Sequence, residues 1–407
     1  MFSTVNSGKF DTLNRHKSLL LRNSFVVSRR FLLETTAFGS LTLIFIQSCN
    51  KKSYCNFYLI YCNFKIYNSN MKFNTEKKNS IISYILEKIS EGSDSPASHV
   101  SGVFGINKST VYRYLNELTA QGLIEKTGHD SYRLVNKEWN YKLSCPGSDL
   151  VSDTDLYTNY LLPHLSGFSA NVIGIWSYAL SEMTNNILDH SKASEVQMSI
   201  IQNSLQTSVI LKDNGVGIFQ KIKDHFHFPS IDDAISELFK GKLTTDEINH
   251  SGEGIFFTSR LMDSFYIISS GKIFSCNKFD AEKILNSTSD DESGTCVIMS
   301  LSNQSKKELK EIFDAYADID GGFTKTSIPL KNMFDVSPVS RSQAKRLCER
   351  LDRFNEVILD FEGLTSMGQG FAHQVFVVYK NQHPEVDLKP VNMNDTIRKM
   401  YYHVTNS

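Results

Sequence analysis

The chain has 407 residues, 41% of them apolar and 21% charged, with 43 Lys and Arg against 44 Asp and Glu. That length is too great for one ordinary domain, and the composition is that of a globular protein rather than a disordered one. A formal net charge of −1 predicts no unusual partner from bulk electrostatics.

Residues 1–70 differ from the rest. They hold three of the seven cysteines, Cys49, Cys55 and Cys62, in a run of Tyr, Phe and Asn without a clear period. Ser28-Arg29-Arg30-Phe31-Leu32 and the apolar run to Ile46 mimic a twin-arginine signal, and Ile46-Gln47-Ser48-Cys49 mimics a lipoprotein cleavage site. Glu34 interrupts that run, which is short for a bilayer span. We read residues 1–70 as an unstructured, non-native extension and Met71 as the natural start, because Lys-Phe-Asn-Thr-Glu-Lys-Lys follows it as in an ordinary soluble N-terminus. Cys145, Cys276, Cys296 and Cys348 are scattered without metal spacing, as reduced thiols would be.

From Asn79 to Val135 the pattern is three helices and a hairpin. Ile81, Ile82, Ile85 and Ile89 make one amphipathic helix, and residues 97–104 make a second, stopped by Gly105. In the third, Asn107 suits an N-cap, and Val111, Leu115 and Leu118 face a core. Lys108, Ser109, Tyr112, Arg113 and Asn116 then point outward, a face equipped for phosphates and base edges. Gly122 to Lys126 and Tyr132 to Leu134 read as two strands around a His129-Asp130 turn. The segment, residues 71–140, resembles the winged helix-turn-helix domains of bacterial regulators, which implies an α+β fold and a DNA partner. Its nine Lys and Arg against eight Asp and Glu between Met71 and Tyr141 give no strong basic footprint.

Residues 136–153 read as a linker containing Pro and Gly. His164 is followed by Leu-Ser rather than an acidic residue and reads as a helix-edge histidine, which disfavours a sensor histidine kinase.

Ser181 to Ser191 carries the chemistry. Glu182, Asn186 and Asp189 recur at i, i+4 and i+7, while Leu180, Met183 and Ile187 hold another face; at about 100° per residue these are two stripes of one helix. Polar groups on so apolar a helix need partners. A β-rich run, Val209 to Asp213, then breaks into Asp213-Asn214-Gly215-Val216-Gly217. Further on, Gly252-Glu253-Gly254 precedes an apolar helix, where glycines let backbone N–H groups approach a phosphate at a helix N-terminus. Gly294-Thr295 opens a last alternating strand.

These four motifs, in this order and spacing, resemble the GHKL ATP-binding superfamily of gyrase, mismatch-repair, chaperone and histidine-kinase ATPase domains and anti-sigma serine kinases. The resemblance implies an α/β sandwich over residues 154–302, with ATP and Mg²⁺ as cofactors. It implies Asn186 as the Mg²⁺ ligand, Glu182 as general base, Asp213 as acceptor of the adenine amino group, and Asp189 as a further pocket residue. Gly215 and Gly217 would shape the adenine side, Gly252 and Gly254 the phosphate side, and Thr295 would lie near the adenine. Residues 219–251 take the place of the ATP lid, with a helix of their own over 231–240. Residues 277–292 form a polar surface insertion, and 306–317 a connecting helix. Asp314 to Gly322 has an acidic, glycine-containing look, but the calcium-loop register fails and it reads as a turn.

Strand and helix alternate from Thr324 to Tyr402, arguing for a small α/β domain over residues 322–407. Val357 to Ala372 resembles the strand-loop-helix of STAS domains, the anti-sigma antagonist fold. Where antagonists carry Asp-Ser-Ser, this chain has Gly368-Gln369-Gly370, with Ser366 out of register, so the loop reads as a contact surface for a protein partner rather than a phosphorylation site.

The expectation is a cytoplasmic, multidomain, ATP-dependent transcriptional regulator without a membrane partner, in which nucleotide binding and slow hydrolysis switch DNA or partner engagement. The alternative is an anti-sigma-type serine kinase of a partner-switching system. Homodimer formation is left open.

Overall fold

A computed structural model describes residues 29–35, 41–47, 65–145, 150–243, 252–277, 293–318, 322–334 and 336–406, with side chains from Thr75 onward. The chain forms two compact units, Met1–Tyr84 and Ile85–Ser407, whose boundary falls within a helix.

In the first unit, β1 (Arg29–Thr35) and β2 (Leu41–Gln47) pair antiparallel, from Arg29 opposite Gln47 to Thr35 opposite Leu41. These strands correct the expectation of an unstructured stretch at those positions. The run is rich in Leu, Ile, Phe and Thr, several of which favour an extended backbone, and its length divides into two strands rather than one span. Helix α1, Lys65–Ser90, begins ahead of Met71 and far ahead of the isoleucine stripe.

The second unit opens with the end of α1, then α2 (Pro96–Phe104), α3 (Lys108–Ala120) and the antiparallel pair β3 (Ile124–Gly128) and β4 (Ser131–Leu134). Pro96 starts α2 where its missing N–H is no loss. Gly105, left-handed at φ 61°, ends it by returning its N–H to Ser101 O. Asn107 occupies the N-cap of α3 but makes no side-chain cap bond; its carbonyl accepts from Thr110 N at 2.9 Å. Val111, Leu115 and Leu118 are buried as the spacing requires, and Tyr114 joins them.

Next comes a six-stranded sheet, in the order β5-β6-β7-β10-β8-β9, with every neighbouring pair antiparallel. Its strands are β5 (Lys137–Ser144), β6 (Glu195–Gln202), β7 (Gln206–Asp213), β8 (Ser264–Ser269), β9 (Lys272–Phe274) and β10 (Thr295–Ser302). The expected linker is therefore corrected over its first half. Lys137–Ser144 alternates polar residues with Trp139, Tyr141 and Leu143, as an edge strand with one covered face does, and pairs along all of β6. Trp139 stacks on His164 at 3.9 Å, which places that histidine in a structural contact beside the sheet edge.

Alternation sends Val196, Met198, Ile200, Val209 and Leu211 to the core face, where Ile175, Trp176 and Ala179 of α4 (Ala170–Asn185) are also buried. Between β7 and β8 lie α5 (Ile218–Phe226), α6 (Ile231–Lys240) and α7 (Gly254–Leu261). Ser230 and Asp233 close a reciprocal capping box on α6. The expected helix over residues 231–240 is thus present. Parts of the lid and of the polar insertion, residues 244–251 and 278–292, lie outside the described residues. Helix α8, Leu309–Tyr316, is the expected connector and takes in Asp314; beyond it Asp318 N donates to Gly322 O at 2.9 Å, and residues 319–321 lie outside the described residues.

The last part is a parallel sheet of β11 (Lys325–Pro329), β12 (Glu356–Asp360) and β13 (Asp387–Val391), in that order. Pro390 lies in the edge strand β13, where a missing N–H is tolerated. Helices α9 (Arg341–Cys348), α10 (Gln369–His373) and α11 (Asp395–Thr405) accompany it. Phe323, just before β11, meets Phe256 at 4.8 Å, Phe257 at 5.1 Å and Phe354 at 5.4 Å between ring centres. One continuous apolar core therefore serves both the antiparallel and the parallel sheet. Among the described residues no helix is long and apolar enough to cross a membrane.

Candidate functional site

A cavity of about 310 Å³ opens between α4, the β7 turn, α5 and the start of α7. Seven of the residues singled out in the sequence line it: Glu182, Asn186, Asp213, Gly217, Gly252, Gly254 and Thr295. They come from four separated segments of the chain. Met183, Ile187, Ile218, Ile222, Ile267 and Val297 supply apolar wall.

Two expected residues fall elsewhere. Asp189 is exposed and does not line the cavity. Regular α-helix ends at Asn185 and widens into a π-helical turn over Asn186–Ser191, so each residue there advances by roughly 80° rather than about 100°. Three residues beyond Asn186 the lag carries Asp189 off the stripe. His190 comes round in its place and lines the cavity together with Ser191. Gly215 is buried behind the wall rather than in it; a Cβ there would lie 2.2 Å from Ser191 O. Its N–H donates to Asp213 Oδ1 at 2.8 Å, so its part is to hold the aspartate.

Asp213, only 5% exposed, ends β7 opposite Thr295 of β10. Burial raises its carboxyl above the ordinary range, opposed by hydrogen bonds from the backbone of Gly215 and Thr295. The Thr295 hydroxyl accepts from Ile218 N at 3.0 Å and so fixes the start of α5. Gly217, at φ 80°, lets the chain pass Ser269 Oγ, which a Cβ would approach to 2.7 Å. On the other side, Gly254 leaves the room that Glu182 occupies: a Cβ there would fall 2.0 Å from Glu182 Oε2. The glutamate is thereby set against the N-terminal turn of α7.

His190 completes a Glu-x-x-x-Asn-x-x-x-His spelling with Glu182 and Asn186 that is close to that of anti-sigma kinases, whereas nothing in the sequence marked Lys221. Lys221 lines the cavity and donates from Nζ to His190 O at 2.9 Å, tying α5 to the π-helical turn. Its signal was a lysine one turn into an amphipathic helix, which is the signature of any solvated face.

The five residues expected to contact DNA, Lys108, Ser109, Tyr112, Arg113 and Asn116, are all exposed on α3. Tyr112 reaches the turn of the β3–β4 hairpin. Partial desolvation, then the charge of Asp130 and a hydrogen bond to it, raise its phenol above the usual range. Arg113 lies 3.9 Å from Glu117 one turn on, a solvent-exposed pair.

Residues 343–398 match the model of a family described as a STAS-like domain of unknown function, DUF4325. The match runs from α9 into α11, so the C-terminal domain is STAS-like. No curated protein matches the chain.

Proposed function

We propose that the chain is an ATP-binding transcriptional regulator in which nucleotide binding and slow Mg²⁺-dependent hydrolysis switch DNA or partner engagement. Its central domain is read as GHKL-type, extended at its N-terminal side by β5, and its first module as a winged helix-turn-helix. One observation carries the reading: Glu182 and Asn186, Asp213 and Gly217, Gly252 and Gly254, and Thr295 line one cavity although the chain separates them. The cavity's volume lies at the lower end of small-ligand sites, and its apolar wall is shared with Glu182, Asn186, Asp213 and Lys221.

In this reading the apolar residues cover the faces of an adenine, and the Asp213 carboxylate accepts from its amino group. A buried carboxylate is a strong acceptor with few competitors for it. Gly217 shapes the adenine side, and Gly252 and Gly254 keep the backbone close and unobstructed where phosphates would approach. Among the described residues no three His, Cys, Asp or Glu side chains form a cation cage. As the GHKL resemblance implies, Mg²⁺ would be held by Asn186 and the nucleotide's own oxygens, supplying charge neutralisation at the phosphates. Glu182 takes a proton from the attacking water.

Labelled γ-phosphate tests this. Label released as free phosphate by the wild type and not by Glu182→Ala, with nucleotide binding retained, is the expected outcome. Label transferred to protein would replace hydrolysis by the serine-kinase reading, and equal turnover in Glu182→Ala would remove that residue from its role.

A further inference from the structure

The stretch from Glu237 to Leu243 faces two ways. Leu238, Gly241 and Leu243 line the cavity. Glu237 and Lys240 of the same stretch turn to the C-terminal domain, where they are 3% and 1% exposed. Lys240 Nζ bonds the Glu237 carboxylate and donates to Arg346 O at 2.8 Å and Glu349 O at 2.7 Å. Those carbonyls belong to the end of α9, where a helix leaves acceptors unpaired and its dipole favours a cation.

Further bonds seat the same stretch. Arg350 Nε lies 3.7 Å from the second oxygen of Glu237, and Arg346 pairs with Asp233 of the α6 capping box at 3.3 Å. Thr326 of β11 donates to Lys240 O at 2.7 Å, and Lys242 Nζ donates to Arg353 O at 2.9 Å. Gly241, at φ 82°, passes so close to Phe323 that a Cβ would sit 2.9 Å from its ring. The wall of the cavity and the end of α9 are thus two sides of one packed layer, and packed layers move as units rather than stretch.

We propose that Glu237 and Lys240 are positioning residues that couple this cavity to the STAS-like domain, so that occupancy of the cavity by nucleotide changes the stability of residues 341–353. The proposal rests on the nucleotide reading above. Neither residue lines the cavity, so their part is transmission rather than binding or chemistry.

Hydrogen exchange on the full chain, with and without a non-hydrolysable ATP analogue and Mg²⁺, tests it. In the wild type the nucleotide is expected to slow exchange at 182–191 and to change it at 341–353. In Lys240→Met the first response persists and the second is lost. Because that variant leaves Glu237 buried beside Arg350 alone, Glu237→Gln/Lys240→Met, with no lone buried carboxylate, is measured alongside and gives the same pattern. Protection at 182–191 with no change at 341–353 in the wild type overturns the coupling and leaves the nucleotide reading intact. No response at either place overturns both. An undiminished response at 341–353 in the double variant overturns the role of the pair.

Discussion

The helical module at the start of the second unit and the STAS-like domain at its end join the central sheet in opposite ways. The module's buried residues, from Ile85 to Ile124, form no part of the core that begins at Leu143, and the chain continues from β4 into β5. The C-terminal domain shares that core outright through Phe323, Phe354 and the strands beneath them. A module outside that core has room to reorient without disturbing the pocket, whereas a domain fused through a common core is placed to register what the pocket does.

Substitutions at the two cores sharpen the contrast most. Phe323→Ala should destabilise by about 3–5 kcal/mol, lowering the antiparallel and parallel sheets in one thermal transition. Leu115→Ala, at a site fully buried in α3, should cost about 2–5 kcal/mol within the helical module while leaving nucleotide binding as in the wild type. Calorimetric scans with and without nucleotide read both effects. A single shared transition in the Leu115 variant, with binding lost, would break the comparison.

Smaller effects follow at the surfaces. Arg113→Ala should weaken DNA binding by about 1–3 kcal/mol, with unchanged thermal stability and nucleotide affinity, in a salt-controlled shift assay. A wild-type chain that binds no genomic fragment at low salt would leave the exposed face of α3 without that role.

The smallest effect is on pH. Burial raises the folded-state value of Asp213, so its contribution to stability is greatest below the unfolded value and is lost as pH rises through the raised one. Nucleotide, needing the carboxylate, should bind more weakly as pH falls through the same range. Asp213→Asn should flatten the stability slope, measured by denaturation across that range.

Much of the site was legible because its motifs are local. A glycine beside an aspartate, or a glutamate one turn from an asparagine, carries its geometry in a few residues, and seven of the nine residues that the GHKL resemblance grouped line one cavity. Asp189 was misplaced because a helical stripe presumes 3.6 residues per turn, and nothing in Asn186 to Ser191 announces the wider turn. The edge strand β5 was hidden by its polar face and by the proline and glycine that follow it. The STAS-like domain was legible in its strand-loop-helix, and its family match begins at Gln343. Its attachment was not legible: Lys240 reads as an ordinary basic residue in the last turn of a helix. Only the carbonyls of Arg346 and Glu349, about a hundred residues on, make it a buried anchor.

Titration calorimetry of the chain with ATP in millimolar Mg²⁺, beside Asp213→Asn, bears most directly on the shared cavity. Saturable heat from the wild type and a loss of it in the variant is the expected result. No heat from a folded wild-type chain would contradict it.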